Sequence, residues 1–393
     1  MGYRNQAVQL AQYLKKQGNE IHYLANAYNG ITTDYMRLED GTELNFKIYG
    51  SMMQDYFANT MSQHLKETKT DIFIILLDTF MLFPWFLNID TSPAKTYFWF
   101  PSDGGGGMPK GCENILRKVD CPIAMAEFGQ KQVWDYYQIK TKFIPHGVDS
   151  KRFFRLDNEK RKQLRQQWGL DNKFVIGVVA RNQPRKNLDR TIKIMYLLKD
   201  KLPNAVCLMH LDPNDPAQQM FNIPSLIQKL GLENRFIFTG MSAFKGFGWD
   251  KMNEIYNLMD VFLLSTSGEG FGIPIIEAMS AQVPVLATDY TTTPELVINN
   301  KAGLGIKLSG TEELDMFSFD SREYDKLAMD GTITGSWEVE RGFCSIKDAV
   351  DKLVYLYNNP KECEMMGLNG RKSVLEKYDF NIIAKKWEEI INE

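Results

Sequence analysis

Short apolar runs alternate with amphipathic stretches along most of the chain. The runs consist almost entirely of apolar side chains, which is typical of parallel strands buried on both faces. The stretches between them repeat apolar residues at helical spacing, as residues 2–18 do at Ala7, Leu10, Ala11 and Leu14. This alternation predicts a doubly wound α/β fold. Strands are predicted at 20–25, 42–50, 71–77, 96–100, 174–180, 205–210, 235–240, 261–264, 284–288 and 302–308.

The stretch of residues 265–288 stands out from this background. Gly268, Gly270 and Gly272 lie in one tight loop between the apolar run 261–264 and a helix that is predicted to start near Pro274. Such a helix start presents unpaired amides and the positive end of a dipole, which together attract anions. The sequence therefore predicts an anion site on a βαβ unit.

Two carboxylates accompany this loop. Glu269 lies within it, and Glu277 lies one helical turn inside the helix, away from the apolar stripe of Ile275, Ile276 and Met279. Taken alone, Glu277 is more simply interpreted as a surface glutamate on an ordinary helix. The glycines, the proline and the flanking strands change that balance.

The segment Glu269–Glu277, EGFGIPIIE, resembles the donor-site signature of retaining GT-B glycosyltransferases of family 4, in which seven residues separate two glutamates. The resemblance implies that the first glutamate contacts hydroxyls of the donor sugar and that the second binds the ribose of the nucleotide. It also implies that the loop amides face the sugar and the diphosphate. These donor-binding roles fall on Glu269, Gly270, Phe271, Gly272, Ile273 and Glu277.

The same resemblance implies a domain organisation, which the length of 393 residues also favours. IPHGVDSKRF, residues 144–153, resembles the inter-domain junction of the family. Residues 1–150 are then an N-terminal, acceptor-side Rossmann-like domain, and residues 151–376 bind the nucleotide-sugar donor. The two domains face a cleft, and the helix predicted at 377–391 crosses back onto the first domain.

Basic residues follow the apolar run 174–180. Arg181 and Lys186 match the pair that holds the donor phosphates in the family, and we expect them to act on charge that develops in the leaving diphosphate. The alternative is that this segment is a solvated basic turn. Arg185 lies beside the pair and is not assigned to it. Gly2 resembles the family's glycine loop that approaches the diphosphate from the first domain.

Acceptor-side chemistry is less clearly indicated. Where much of the family has a histidine after the strand matching 96–101, this chain reads FPSDGG, which makes Asp103 the nearest match for a catalytic residue. Asp103 either orients the donor sugar or acceptor hydroxyl, or is a turn aspartate before four glycines. The metal-binding Asp-x-Asp motif is missing from the sequence, so we expect neither a metal site nor a cofactor besides the donor.

The composition of the chain limits the kinds of binding partner and the cellular compartment that are expected. A net charge of −3 provides no basic field for nucleic acid, so none is expected as a partner. The five cysteines lack metal-like spacing and favour reduced thiols in the cytoplasm. The longest apolar run, at 80–89, is shorter than the about 20 residues of a spanning helix and predicts a core or interface segment. Peripheral contact with a membrane stays an alternative.

We therefore expect a retaining glycosyltransferase that moves a hexose from a nucleotide sugar to a carbohydrate, lipid or protein hydroxyl. The first alternative is a catalytically silent protein that binds sugar nucleotides or a partner. The second is a nucleotide-sugar epimerase on the same fold. Donor base, sugar, acceptor and oligomeric state are not indicated by the sequence.

Two segments depart from the family pattern. Met1 is followed at once by Gly2, whereas the family has a buried strand before the glycine loop, so we expect an N-terminally shortened chain with a weakened first domain. The alternative is that 20–25 pairs directly with 71–77. Residues 309–342 are polar and are predicted to form a surface insertion.

Overall fold

The structure is a computed structural model that describes residues 2–25, 30–38, 41–51, 60–82, 85–108, 110–213, 221–240, 247–315 and 338–393. The sequence also predicts a helix over 52–67 and a turn at LDPND, residues 211–215; residues 52–59 and 214–215 of these segments lie outside the described residues. The longer helices coincide with stretches in which apolar residues recur at helical spacing, as in Gly2–Lys16 and Leu188–Leu198. The helices are α1 (Gly2–Lys16), α2 (Met61–Glu67), α3 (Thr79–Leu82), α4 (Lys110–Lys118), α5 (Glu127–Tyr137), α6 (Asn158–Gln167), α7 (Leu188–Leu198), α8 (Ile223–Lys229), α9 (Trp249–Leu258), α10 (Ile273–Ser280), α11 (Ile346–Asn358), α12 (Pro360–Ser373) and α13 (Phe380–Ile391).

The second domain is built on one parallel sheet of six strands. In spatial order these are β12 (Phe236–Phe238), β11 (Ala205–His210), β10 (Phe174–Val179), β13 (Val261–Leu264), β14 (Val285–Thr288) and β15 (Gly303–Ile306). The four central strands β10, β11, β13 and β14 are buried almost throughout, which explains why the apolar runs predicted them so closely. Chain order reverses between β10 and β13, so the loops after these two strands are neighbours at the carboxyl edge, where α/β sheets bind ligands.

The first domain divides its strands between several sheets. Parallel strands β6 (Ile72–Ile75), β7 (Lys95–Phe100), β8 (Cys121–Ala124) and β9 (Lys142–Phe143) form one sheet. Strands β1 (His22–Ala25), β5 (Lys47–Gly50) and β2 (Thr32–Thr33) form another, and β3 (Met36–Arg37) pairs with β4 (Glu43–Leu44). Within the described residues β1 pairs with β5, and β2 pairs with the other edge of β5. The alternative, a direct pairing of 20–25 with 71–77, is therefore wrong for these residues.

Of two further segments, the first differs from its prediction and the second agrees with it. The ends of the predicted insertion form an antiparallel hairpin of β16 (Leu308–Asp315) and β17 (Glu338–Cys344), while 316–337 lie outside the described residues. Because Val339 and Arg341 are buried, a surface insertion is the wrong description of β17. The apolar run at 80–89 is core where it is described, since Leu82 and Phe86 are fully buried.

The C-terminal helix lies against the first domain. Tyr13 of α1 donates a 2.8 Å hydrogen bond to Glu388 of α13, and Trp387 is buried edge-on against Trp99 of β7. Across the described ranges of the chain, the helices are all too short or too polar to span a bilayer.

Candidate functional site

The loops that follow β10 and β13 are bound to each other at the switch point of the second sheet. The backbone amide of Ser267 donates to the carbonyl of Arg185 at 2.6 Å, and the Thr266 hydroxyl donates to the same carbonyl at 3.0 Å. In return the Arg185 guanidinium donates to the Gly268 carbonyl at 3.0 Å. These bonds hold the basic turn of residues 184–186 against the glycine loop at the switch point, where open α/β sheets bind their ligands.

Glu269 is the centre of a buried ion cluster. Only 3% of its surface is exposed, and its carboxylate meets Lys186 Nζ at 2.5 Å and Arg185 Nη1 at 3.0 Å. Burial alone would raise the pKa of Glu269, but the two cations outweigh it and hold that pKa at about 2. Burial and the neighbouring Arg185 charge lower the pKa of Lys186 to about 8, despite its contact with Glu269.

The first domain adds two carboxylates to this cluster. Asp103 lies 3.4 Å from Arg185 Nε through one oxygen and 3.2 Å from Arg341 Nη1 through the other. Asp78 accepts a 2.6 Å hydrogen bond from the Tyr3 hydroxyl, and burial raises the pKa of Asp78. Acids from one domain thus face cations from the other, so the site lies between the domains.

The glycine loop is packed directly onto the first domain. A Cβ atom on Gly268 would lie 1.9 Å from the Asp103 carbonyl oxygen, and one on Gly270 would lie 2.4 Å from Cβ of Pro101. Both distances are far below van der Waals contact, so these two glycines permit the close approach of the domains. A Cβ atom on Gly2, at the start of α1, would lie 3.1 Å from Cδ1 of Ile273, which is a much looser contact with the end of a side chain.

Helix α10 begins with free amides. The backbone N–H groups of residues 270–273 donate to no residue among those that the structure describes, whereas the amide of Glu269 is bonded to the Thr291 hydroxyl. The side chain of Phe271 is turned away into the core, against His146 and Tyr378. A run of unpaired amides at a helix start next to Arg185 and Lys186 is suited to an anion such as a diphosphate.

Glu277 lies one turn further along α10. Its Oε2 accepts a 2.6 Å hydrogen bond from the hydroxyl of Tyr256, a fully buried residue of α9. Burial raises the pKa of Glu277 to about 7, although the bond from Tyr256 opposes this shift. The second oxygen is left to accept a bond from a ligand hydroxyl.

The structure brings most of the predicted site residues together. Glu269, Lys186 and Asp103 share the ion cluster, with Gly270, Gly272 and Ile273 beside them at the helix start. Arg181 is exposed and its side chain contacts none of the described polar groups, while its neighbour Arg185 joins the cluster. The roles carried over from the resemblance stay predictions.

Four residues of the site were not predicted. Asp78 follows β6 as Asp103 follows β7, so its position at the carboxyl end of a parallel strand was a usable signal. Tyr256 and Tyr3 are apolar-face residues of ordinary helices, and only the tertiary structure shows their hydroxyl partners. Arg341 carried no signal, because it lies in the segment that matches no family pattern.

The described residues hold no cluster of three or more histidine, cysteine, aspartate or glutamate side chains arranged for a metal ion. The acids of the cleft are paired with arginine, lysine and tyrosine.

Comparison with known proteins bears on family and fold. Residues 160–314 match the protein-family model described as Glycosyl transferases group 1. The chain is 28% identical over 181 residues to the mannosylfructose-phosphate synthase of Agrobacterium fabrum, which covers 44% of this chain and 38% of that protein. It is 29% identical over 169 residues to the GDP-mannose-dependent alpha-(1-6)-phosphatidylinositol monomannoside mannosyltransferase of Mycobacterium tuberculosis, covering 41% of each.

The chain thus spans less than half the length of these curated relatives. The crystal structure of HepE from Anabaena, in complex with UDP and glucose, matches with a TM-score of 0.71 at 16% identity. That match covers 100% of this chain and 96% of the other. At this identity it bears on the fold alone, and it confirms the predicted architecture.

Proposed function

We propose that this chain is a group 1 glycosyltransferase, because residues 160–314 match that family model and the chain has the GT-B fold. It transfers a hexose from a nucleotide-sugar donor to an acceptor hydroxyl, with retention of the anomeric configuration. Mannose and glucose are the favoured sugars, because one curated relative is a mannosylfructose-phosphate synthase, the other is a mannosyltransferase, and the HepE structure holds glucose.

One observation carries this proposal: the free amides of residues 270–273 adjoin Arg185 and Lys186 in a cleft between two domains. Amides, a helix dipole and buried cations stabilise a diphosphate in its bound state and more strongly as it leaves with added charge. One oxygen of Glu277 accepts a hydrogen bond from Tyr256, and we propose that the other accepts one from a hydroxyl of the nucleotide ribose.

The reaction balances without an enzyme nucleophile. The bond between the anomeric carbon and the phosphate oxygen breaks, and the acceptor oxygen forms a bond to the same face of that carbon. The proton of the acceptor hydroxyl passes to the departing phosphate. Lys186 and Arg185 neutralise the leaving diphosphate, and Asp103 is proposed to orient the donor sugar or the acceptor hydroxyl from the first domain.

A silent sugar-nucleotide-binding protein is the second candidate. The observation in its favour is that the cations of the cluster are already neutralised. Arg185 forms ion pairs with Glu269 and Asp103, and Lys186 forms one with Glu269. A diphosphate must displace part of these contacts to bind. Slow release of nucleoside diphosphate from the donor without acceptor is expected of the enzyme, and donor binding without any release is expected of the silent protein.

The test is a panel of GDP-, UDP- and ADP-sugars scored by thermal denaturation. A cognate donor at a hundredfold excess over its dissociation constant adds ~2.7 kcal/mol to the free energy of unfolding. The donor found in this way is then incubated with sugar, lipid and peptide acceptors, and NMR reports the anomeric configuration of the product. The proposal is contradicted if none of the nucleotide sugars stabilises the protein. It is also contradicted if the anomeric configuration of the product is inverted.

Activity is proposed to be independent of divalent metal, since Arg185, Lys186 and the helix amides supply the positive charge at the diphosphate site. Transfer is therefore expected to persist in a chelator. Complete loss that is restored by adding back a divalent ion contradicts this part of the proposal.

A further inference from the structure

Strand β17 crosses the cleft and is bonded to both domains. On one side the amide of Gly342 donates to the Ser267 carbonyl of the glycine loop at 3.0 Å. On the other side Gly105 and Glu340 exchange two backbone hydrogen bonds, of 3.0 and 3.2 Å, in an antiparallel bridge. A single strand of the second domain thus holds a loop of each domain.

The bridge depends on an unusually close approach at Gly105. A Cβ atom there would lie 2.4 Å from the Tyr290 hydroxyl oxygen. That hydroxyl accepts a 2.9 Å bond from the Gly105 amide and donates to Glu340 Oε1 at 2.7 Å. The glycine run after Asp103 is therefore part of a fitted contact with β17, which a solvated turn does not need.

Arg341 lies between these two anchoring points and is 8% exposed. Its Nη1 donates to the Asp103 carbonyl oxygen at 2.5 Å and lies 3.2 Å from the Asp103 carboxylate. The other carboxylate oxygen faces Arg185. Asp103 is thus fixed through its backbone and its side chain, and Arg341 supplies the contact to both.

We propose that Arg341 is a positioning residue for sugar transfer, which holds the loop of Asp103 in the cleft over the donor site. The role in transfer rests on the proposed function. The positioning of the loop does not, because it follows from the contacts alone. Loss of the guanidinium frees the Asp103 carbonyl and leaves its carboxylate to Arg185, so the loop and the charge balance at the diphosphate site both change.

The first measurement is hydrogen exchange of the full-length chain, followed by mass spectrometry of peptides that span residues 101–108. Arg341→Met is expected to speed exchange at Gly105 in this loop about tenfold or more, because the Gly105 amide donates to the Glu340 carbonyl of β17 beside Arg341. Arg341→Lys is expected to restore part of the protection. Glu312→Gln is the control, since Glu312 lies opposite Arg341 in the hairpin and is exposed. Unchanged exchange in Arg341→Met overturns the proposal whatever the activity of the chain.

The second measurement separates positioning from direct donor binding. With the cognate donor, Arg341→Met is expected to lower kcat about tenfold or more while KM for the donor changes less than about threefold. Combined with Asp103→Asn, the loss is expected to be smaller than the product of the two single losses, because both act through one side chain. A main effect on KM, or fully multiplicative losses, contradicts positioning through Asp103. A wild type without activity but with the expected exchange refutes the proposed function alone.

Discussion

The hydroxyl of Tyr256 donates a 2.6 Å hydrogen bond to Oε2 of Glu277, at the point where helices α9 and α10 meet beside the glycine loop. The tyrosine is fully buried, and burial raises the pKa of Glu277 to about 7. A carboxyl group that titrates near neutrality binds a hydroxyl donor best when it is ionised. Because the Tyr256 hydroxyl and burial between the two helices both act on the pKa of Glu277, the packing of these helices is expected to affect the pH dependence of ligand binding.

Donor affinity is expected to fall as the pH drops through about 7. If the donor binds the ionised form of Glu277, its dissociation constant rises about tenfold for each pH unit below that value. Glu277→Gln is expected to remove this dependence and to weaken binding at pH 8 by roughly 1–3 kcal/mol. Isothermal titration between about pH 5.5 and about pH 8, a range that brackets the pKa of Glu277, measures both effects.

Two variants control this experiment. Tyr256→Phe removes the hydrogen bond that lowers the pKa of Glu277, so the midpoint of the affinity curve is expected to move to higher pH. Glu254→Gln changes a carboxylate on α9 that is paired with Lys251, and it is expected to leave the curve in place. A wild-type affinity that is constant over this range contradicts the role of Glu277.

Lys186 is expected to set the alkaline limit of transfer. Burial and the charge of Arg185 lower the pKa of Lys186 to about 8, so above that pH it loses the proton that makes it a cation. The value of kcat/KM is therefore expected to decline above about pH 8. Lys186→Arg keeps a positive charge and is expected to shift the decline upwards, whereas Arg181→Lys leaves it unchanged. An identical decline in Lys186→Arg assigns the titration to another group.

Arg181 provides a separate test of the phosphate pair. Because its side chain is exposed and bears no ion pair to the residues that the structure describes, Arg181→Ala is expected to leave the free energy of unfolding within about 0.5 kcal/mol. Turnover is expected to fall roughly tenfold or more if Arg181 reaches the leaving diphosphate. Denaturant unfolding and transfer kinetics are measured on the same preparation. Full activity removes Arg181 from the site and leaves Arg185 as the partner of Lys186.

Gly270→Ala is expected to separate the glycine loop from the first domain. The added Cβ would lie 2.4 Å from Cβ of Pro101, and overpacking of this kind costs about 1–3 kcal/mol of stability. Chemical denaturation and the KM for the donor are the measurements. Gly310→Ala is the matched control, because open space surrounds that position on β16. Equal effects of both substitutions contradict the close-approach explanation.

His146 is expected to make the protein sensitive to acid. The ring is 1% exposed among aromatic side chains, and burial lowers the pKa of His146 to about 3. The unfolded chain binds a proton near pH 6.5 and the folded chain does not, so stability is full above that pH and falls as the pH drops towards 3. At pH 5 this residue costs ~2 kcal/mol relative to neutral pH.

His146→Phe keeps an aromatic ring in the same packing and cannot be protonated. The difference between its unfolding free energies at pH 7 and pH 5 is expected to be smaller than that of the wild type by ~2 kcal/mol. Part of the wild-type difference persists in the variant, because burial also lowers the pKa of His210 to about 4. Equal differences in the two proteins show that His146 is not the titrating group.

Those parts of the fold that depend on local patterns could be predicted from the amino-acid sequence. The apolar runs located the central strands, with β11 and β13 at the predicted bounds, because a strand buried on both faces must be apolar throughout. The glycines, Pro274 and the paired glutamates located the loop and helix of the predicted anion site. Strand and loop order then placed this site at the carboxyl edge of the second sheet.

Which polar side chains contact each other could not be predicted from the sequence and is seen in the folded chain. The pairing of Glu277 with Tyr256, and of Asp103 with Arg185 and Arg341, joins residues far apart in the chain, and such pairs leave no periodic trace in the sequence. Arg341 lay in a polar segment without a family pattern, yet β17 is buried there because both flanking loops offer it backbone hydrogen bonds. Burial of a charged residue depends on partners from other segments, and local hydrophobicity carries no information about those partners.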